Sequence, residues 1–311
     1  MRIKVRTYII FILLSIISCE KLEEKCTEGT VFIPGYHVPI PDANFKEKLI
    51  AAGYDSDCDC EISFQEAEVV DSLNLFDHQN VLSNFGKIED LTGIEAFVNL
   101  VFLDCSNNKI NGPLDLSSNP KLKYLKCYDS GIKGTIDLSH NIKLEYINCC
   151  LNEIDTLNII GLKNLRDLNI GFTNITNIDL STNINLYSFE MLTYALTELD
   201  ITNNINLEIL KIGAPLTNID FSRNIHLKEL LVGGTQVNIT ELDLSNCSEL
   251  KELTVSYFDV NEIDISQSRD LEKLSLYFLP SLVTICVWEL PFPSSVEVDN
   301  NLADFSFVIC N

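Results

Sequence analysis

Positive charge and histidine are both scarce in this 311-residue chain: 22 Lys and Arg stand against 45 Asp and Glu, with four His. A net charge of −23 argues against nucleic acid and an anionic membrane surface as partners, since both are repelled by such a field. The histidines, His37, His78, His140 and His226, are dispersed along the sequence. No GxSxG, Cys–His pair or metal triad accompanies them, which argues against an enzyme. Eleven cysteines are present, but without two CxxC pairs or clustered histidines their spacing does not suggest a zinc site. The apolar run "TYIIFILLSII" is too short to cross a bilayer, which takes about 20 residues.

That run is the first informative feature. Arg2, Lys4 and Arg6 surround its start with no acid among the first eighteen residues, and it closes on "IISC", Ile16 to Cys19. A basic start, a short apolar stretch and small Ser18 mark residues 1–18 as a cleaved targeting segment. Removing three cations from −23 leaves about −26 on the remainder. The closing residues resemble the lipobox of bacterial lipoproteins, which implies acylation of Cys19 and residues 19–38 as an acidic tether. Several acyl chains there would anchor the protein stably, so that lipid alone touches the membrane. An ordinary secretory signal with an incidental cysteine is the alternative. Exported chains can keep disulfides among the other cysteines.

From residue 100 the sequence repeats. "LVFLDCSNNKI" (100–110), "LKYLKCYDSGI" (122–132), "LEYINCCLNEI" (144–154) and "LRDLNIGFTNI" (165–175) align without gaps, and further copies start at Leu186, Leu207, Leu227, Leu250 and Leu271. Spacings of 20 to 23 residues with LxxLxL, two residues, then Asn are the pattern of leucine-rich repeats. One coil cannot bury its own apolar side, whereas stacked coils share a core. The expected fold is therefore mainly β: a solenoid over 100–281 with a helical cap before it (39–99) and a β cap after it (282–311). Cys105, Cys127 and Cys149 fall in a core column continued by Ile170, Met191, Ile212, Val232, Val255 and Leu276, so they are expected as small buried hydrophobes. A second half-repeat, such as "IDLSHN" (136–141) and "IDLSTN" (178–183), alternates with period two and predicts two short strands per coil. Asn108, Asn152 and Asn174 are expected in one turn column, and Asn119, Asn141, Asn183, Asn204 and Asn224 in another. Asp115, Asp137, Asp179, Asp200, Asp220, Asp243 and Asp264 form an outward file, interrupted by Asn158, that must bond turn amides or attract cations.

The caps carry different chemistry. "IPDANFKEKLIAAGY" and "SFQEAEVV" read as helices flanking "DSDCDCEISFQE", residues 55 to 66. Helix, twelve residues, helix is the context of an EF-hand, with Asp55, Asp57 and Asp59 at its first three ligand places. Glu61 would offer its carbonyl, Ser63 a hydroxyl or water, and Glu66 the bidentate closure, for a weak structural Ca2+ site. Cys60 stands where the loop favours glycine, at a cost of about 1–2 kcal/mol. The competing reading is a Ser63–Glu66 capping box, which leaves the three alternate aspartates unexplained. At the other end Leu282, Ile285 and Val287 take the half-repeat phase, placing Cys286 in the aspartate column. If Phe305, Phe307 and Ile309 cover the core, Cys310 emerges beside Cys286, and a disulfide is expected to close the last coil.

The lipobox, "PDANFKEKL", the acidic loop and the LxxLxC/LDLSxN repeats together resemble exported leucine-rich-repeat lipoproteins of Bacteroidota-type bacteria, and "LTGIEAFVNL" is similar to the lead-in of internalin-like repeats. The resemblance implies a monomeric, lipid-anchored protein of the outer membrane or cell surface, acting as a non-catalytic adhesion module. Its ligand would be a protein or glycan on another surface. Outward positions of the early coils supply the candidate contact: Phe102, Tyr124, Lys126, Tyr128 and Tyr146. Cross-strand stacking that merely stiffens the sheet is the plainer account of those rings. A passive envelope spacer and an accessory subunit of an enzyme are the alternative functions.

Overall fold

The computed structural model describes residues 33–76, 86–193, 195–234, 239–301 and 305–310. The targeting segment, Cys19, Cys26 and His78 lie outside the described residues. Helix α1 (Ala43–Ala51) starts at Asp42, whose side chain accepts the Phe45 amide, and it buries Phe45 and Leu49. The other Asp42 oxygen accepts the amides of Glu89 and Asp90 at 2.7 and 3.0 Å, tying the helix start to the chain that enters the repeats. Helix α2 (Phe64–Val69) opens with the Ser63–Glu66 capping box. Residues 33–38, expected within the tether, instead dock on this cap: Val38 and His37 are buried, and His37 bridges to Ser63.

Beyond the cap the chain winds into a solenoid. Eleven strands stack in parallel into one sheet that starts at Ser72–Asn74, before the first full repeat, and finishes with Glu297–Asn300, beyond the last. Its register runs Leu73, Leu103, Leu125, Ile147, Leu168, Phe189 and Leu210 across consecutive coils, all buried. Cys105, Cys127 and Cys149 are buried free thiols in the adjoining column, with Ile170, Met191 and Ile212 buried above them. Burial pushes the Cys105 thiol well up from its ordinary value, which makes it an inert apolar filler.

Two strands per coil is too many. Outer strands pair at Lys133–Asp137 with Glu153–Asn158, and as a triple of Glu262–Asp264, Thr284–Val287 and Ser306–Ile309. Over 178–183 and 199–204 there is no strand, yet Ile178 and Leu180 are buried with Asp179 exposed between them. Alternation records which side meets the core, and an extended segment meets it without a ladder partner.

Asparagine secures the bends. The Asn141 Nδ2 donates to the Leu116 and Asn119 carbonyls of the preceding coil at 2.8 and 3.0 Å. Asn119, Asn183, Asn204 and Asn224 repeat that pattern, and all five are fully buried. In the other turn column Asn108 and Asn152 each donate to three carbonyls. Asn174 is not in it. Thr173 occupies the equivalent buried place and donates to Ile170, while Asn174 is exposed one residue later. The aspartate file bonds turn amides: Asp115, Asp137, Asp179, Asp200, Asp220, Asp243 and Asp264 accept the amide two residues on at 2.8–2.9 Å.

Candidate functional site

Register brings the early aromatic residues together. Phe102, Tyr124 and Tyr146 are direct partners on three neighbouring strands, on the face opposite the buried Leu103, Leu125 and Ile147. Lys126, two residues along from Tyr124, places its ammonium 5.9 Å from the ring centres of both Phe102 and Tyr146. That is cation–π distance, so the lysine is held over the rings. Tyr124 is 40 % exposed, and its hydroxyl donates to Glu145 Oε2 at 3.2 Å. A Lys123 hydrogen bond, outweighing desolvation and aided by Tyr124, holds the Glu145 carboxyl below the usual range. Tyr128 stands apart from this column and packs against Phe76, with ring centres 6.0 Å apart.

The acidic loop is divided between two roles. Carboxylate oxygens of Asp55, Asp57 and Asp59 lie within 4.8 Å of one another. Glu66 is not among them. Its Oε1 accepts from the Ser56 amide and hydroxyl at 2.6 and 2.7 Å, and its Oε2 from the Ser63 amide and hydroxyl, both at 2.9 Å. Burial opposes ionisation of Glu66, but the Ser63 and Ser56 bonds together hold it below the usual range. The Glu61 carboxylate is taken by Lys46 at 2.7 Å, and Ser63 Oγ accepts the Glu66 amide as the helix cap. Asp59 Oδ2 meets His37 Nε2 at 2.9 Å; His37 Nδ1 accepts the Ile33 amide, so the proton sits on Nε2. Ca2+ takes six to eight oxygens. Three carboxylates converge here, and the closing glutamate of the expected set is held in the helix cap instead. Cys60 does adopt the left-handed conformation, with φ 65, as does Cys58 with φ 59. Both are disulfide-bonded.

At the far end the structure joins Cys286 to Cys310, with Cα atoms 5.3 Å apart. Asp264 pairs with Cys286 in register, the aspartate-column placement, though Cys286 is fully buried rather than outward. Phe305 and Phe307 pack on the core, but Ile309 is 55 % exposed and covers nothing. It pairs with Val287 on the neighbouring outer strand.

Sequence reasoning missed a groove of about 570 Å3 on the flank where the strands begin. Arg166, Tyr187, His226, Asn164, Asn185 and Asn206 line it together with Glu145 and Glu208. Most of them come as pairs two residues apart from successive repeats, Asn164 with Arg166, Asn185 with Tyr187 and Asn206 with Glu208, so no contiguous motif marks the groove. Aligning the residues that follow each leading leucine would have exposed it.

Register, asparagine ladder and cysteine column together decide the architecture. The protein has the internalin-type leucine-rich-repeat fold. The functional domain of InlJ from Listeria monocytogenes, described as including a cysteine ladder, is 27% identical with a TM-score of 0.72 over 84% of this chain. This chain spans only 59% of that domain. InlP from the same organism matches at 18% identity and TM-score 0.53, over 79% of this chain and 74% of its own. A plant peptide hormone receptor, RGFR1 in complex with RGF2, matches at 16% identity and TM-score 0.51, over 78% of this chain and 53% of its own. No family model and no curated protein matches. Among the described residues of the internalin-type solenoid, no helix is long and apolar enough to cross a membrane.

Proposed function

We propose that this protein is a non-catalytic recognition module of the cell envelope, exported and held at the outer membrane or cell surface by lipid on Cys19. Its early coils engage a protein or glycan on another surface. The observation that carries this reading is the ladder Phe102–Tyr124–Tyr146 with Lys126 poised over it. Aromatic rings with a half-exposed cation on an open sheet face form the composition of a binding hot spot. Simple stiffening of the sheet does not call for a lysine between two rings. The internalin-type fold supports the reading, since a parallel sheet with one open side is a natural contact surface. Catalysis finds no support in the histidines: His37 is buried against Asp59, while His140 and His226 are exposed on separate coils.

Capture of surface proteins and glycans by the full chain tests the proposal. Replacing Tyr124 and Tyr146 with serine should reduce capture at least about tenfold while the fold stays cooperative. Capture unchanged by both substitutions would make the rings structural. Tyr128→Ser should have little effect, because that ring already has Phe76. A weak Ca2+ site in the cap is a subsidiary proposal, resting on Asp55, Asp57 and Asp59 with Glu66 left in its capping box. Millimolar calcium should then raise the unfolding temperature relative to chelator, and Glu66→Gln should preserve the shift. No shift in the parent protein leaves the capping box as the loop's whole purpose.

A further inference from the structure

One column of the solenoid, the residue after each leading leucine, is a charge ladder with a gap. Lys123 pairs with Glu145 at 2.7 Å, Glu208 with Lys228 at 2.6 Å, and Lys251 with Glu272 at 3.5 Å. Between the first two pairs stand Arg166 and Tyr187. The exposed Arg166 guanidinium makes no ion pair or hydrogen bond among the described residues, although its backbone carbonyl accepts the Tyr187 and Ser188 amides at 2.8 and 2.9 Å. Glu145 is bonded to Lys123 and Glu208 to Lys228, while Asp167, whose carboxyl is raised by burial, feels Arg166 only as an opposing nearby charge without a hydrogen bond. Glu208 is held below the usual carboxylate range by Lys228 first, against desolvation, with the Tyr187 hydroxyl and His226 assisting. An unpaired cation is conspicuous in a chain with twice as many acids as bases.

The groove beside it is equally ordered. Asn164, Asn185 and Asn206 donate through Nδ2 to the Ile142, Lys163 and Ile184 carbonyls at 3.0, 2.8 and 2.9 Å. Each bond fixes the amide and leaves Oδ1 as an acceptor with no protein partner among the described residues. Successive coils repeat those acceptors about 4.8 Å apart. The half-buried Tyr187 and the exposed His226, whose Nδ1 lies 3.1 Å from Glu249 Oε1, supply aromatic edges, and no aliphatic side chain lines the groove.

We infer that this groove binds an oligosaccharide bearing a single carboxylate, with Arg166 holding the carboxylate and the asparagine row accepting sugar hydroxyls. The inference rests on the recognition reading but places a second site on the flank, away from the aromatic ladder. A guanidinium prefers a carboxylate it can grip through two N–H donors. Glu145 and Glu208 on either side, together with the net charge of −23, repel a polyanion. Fixed acceptors in place of apolar pockets suit a ligand dense in hydroxyl donors and offer nothing to apolar peptide side chains.

Titrating the full chain with sialyllactose, and with lactose as its neutral parent, tests the assignment. Sialyllactose should bind at least about tenfold tighter, and Arg166→Gln should abolish that difference. Arg223→Gln, at an exposed arginine outside the groove, should not. Equal binding of the two sugars, no binding of either, or an unaffected Arg166→Gln variant overturns the inference. So does an acidic tetrapeptide that displaces sialyllactose with higher affinity, which would assign the groove to protein carboxylates. Tyr124→Ser with Tyr146→Ser separates the two sites: sialyllactose binding should survive it, and its loss would relocate the sugar to the aromatic ladder. Patch-dependent capture without sugar binding defeats the groove alone, while absence of both defeats the recognition reading.

Discussion

Replacing Asn141 by alanine should destabilise the solenoid by about 1–3 kcal/mol. Its Nδ2 bonds the Leu116 and Asn119 carbonyls, both in the preceding coil. Neither acceptor is orphaned by the change, because Leu116 O also accepts the Asn119 amide at 3.0 Å and Asn119 O the Leu122 amide at 3.1 Å. The loss is therefore two net hydrogen bonds of about 0.5–1.5 kcal/mol each, without the full desolvation penalty of a stranded carbonyl. The Asn141 Oδ1 is itself buried without a partner, so removing the side chain also relieves a cost. Asn141→Leu isolates that effect. Leu162 already stands at the equivalent turn, where the Leu162 and Leu165 amides close the same bonds as those of Asn141 and Leu144. Leucine fills the space that alanine vacates and lacks the unpartnered oxygen, so it should cost less than alanine by about 1 kcal/mol. Denaturant unfolding and amide exchange of residues 114–144 measure both variants, the latter because coils couple mainly to their neighbours. A loss above about 4 kcal/mol for alanine, or leucine worse than alanine, would refute the ledger of carbonyl partners.

Three further outcomes follow from the same geometry. Leu151 is 49% exposed at φ 58, in the column where Asn107 adopts the same conformation, so Leu151→Asn should stabilise by about 1 kcal/mol; an unchanged denaturation midpoint would show that the turn carries no strain. Cys310→Ser opens a 24-residue loop and should cost about 3 kcal/mol, read as faster amide exchange over Thr284–Val287 with early coils unaffected; uniform exchange along the chain would contradict a local cap. The Ser181 hydroxyl and amide hold Asp179 below its ordinary value, and those of Thr202 do the same for Asp200. A depressed folded pKa means stability present above the unfolded value near ~3.9 and lost as pH falls through the folded one. Asn at both positions should flatten the acid limb of a stability–pH curve, and an unchanged slope would assign acid sensitivity elsewhere.

What the sequence made legible is what repeats. Leu103, Leu125 and Ile147 announce the register because a one-residue slip would turn every apolar side chain outward, and the sheet keeps that register. The cysteine column follows from the same arithmetic. Outer strands were overcounted because Ile178 and Leu180 satisfy alternation by burial alone. Asn174 was misplaced through its neighbour Thr173, whose hydroxyl performs the same carbonyl bonding with a different side chain. Function follows a harder rule, since a binding surface on a solenoid is written down a column rather than along the chain. The aromatic ladder was found because its column is chemically uniform, ring upon ring. The Arg166 groove was missed because its column alternates, and its signal is a defect in that alternation. Lys123, Glu145, Glu208 and Lys228 neutralise one another in pairs, so each looks like ordinary surface charge until the unpaired member is seen between them. In a repeat whose every coil solves the same folding problem, a residue left unpaired by its neighbours above and below is the place to look for a partner outside the chain.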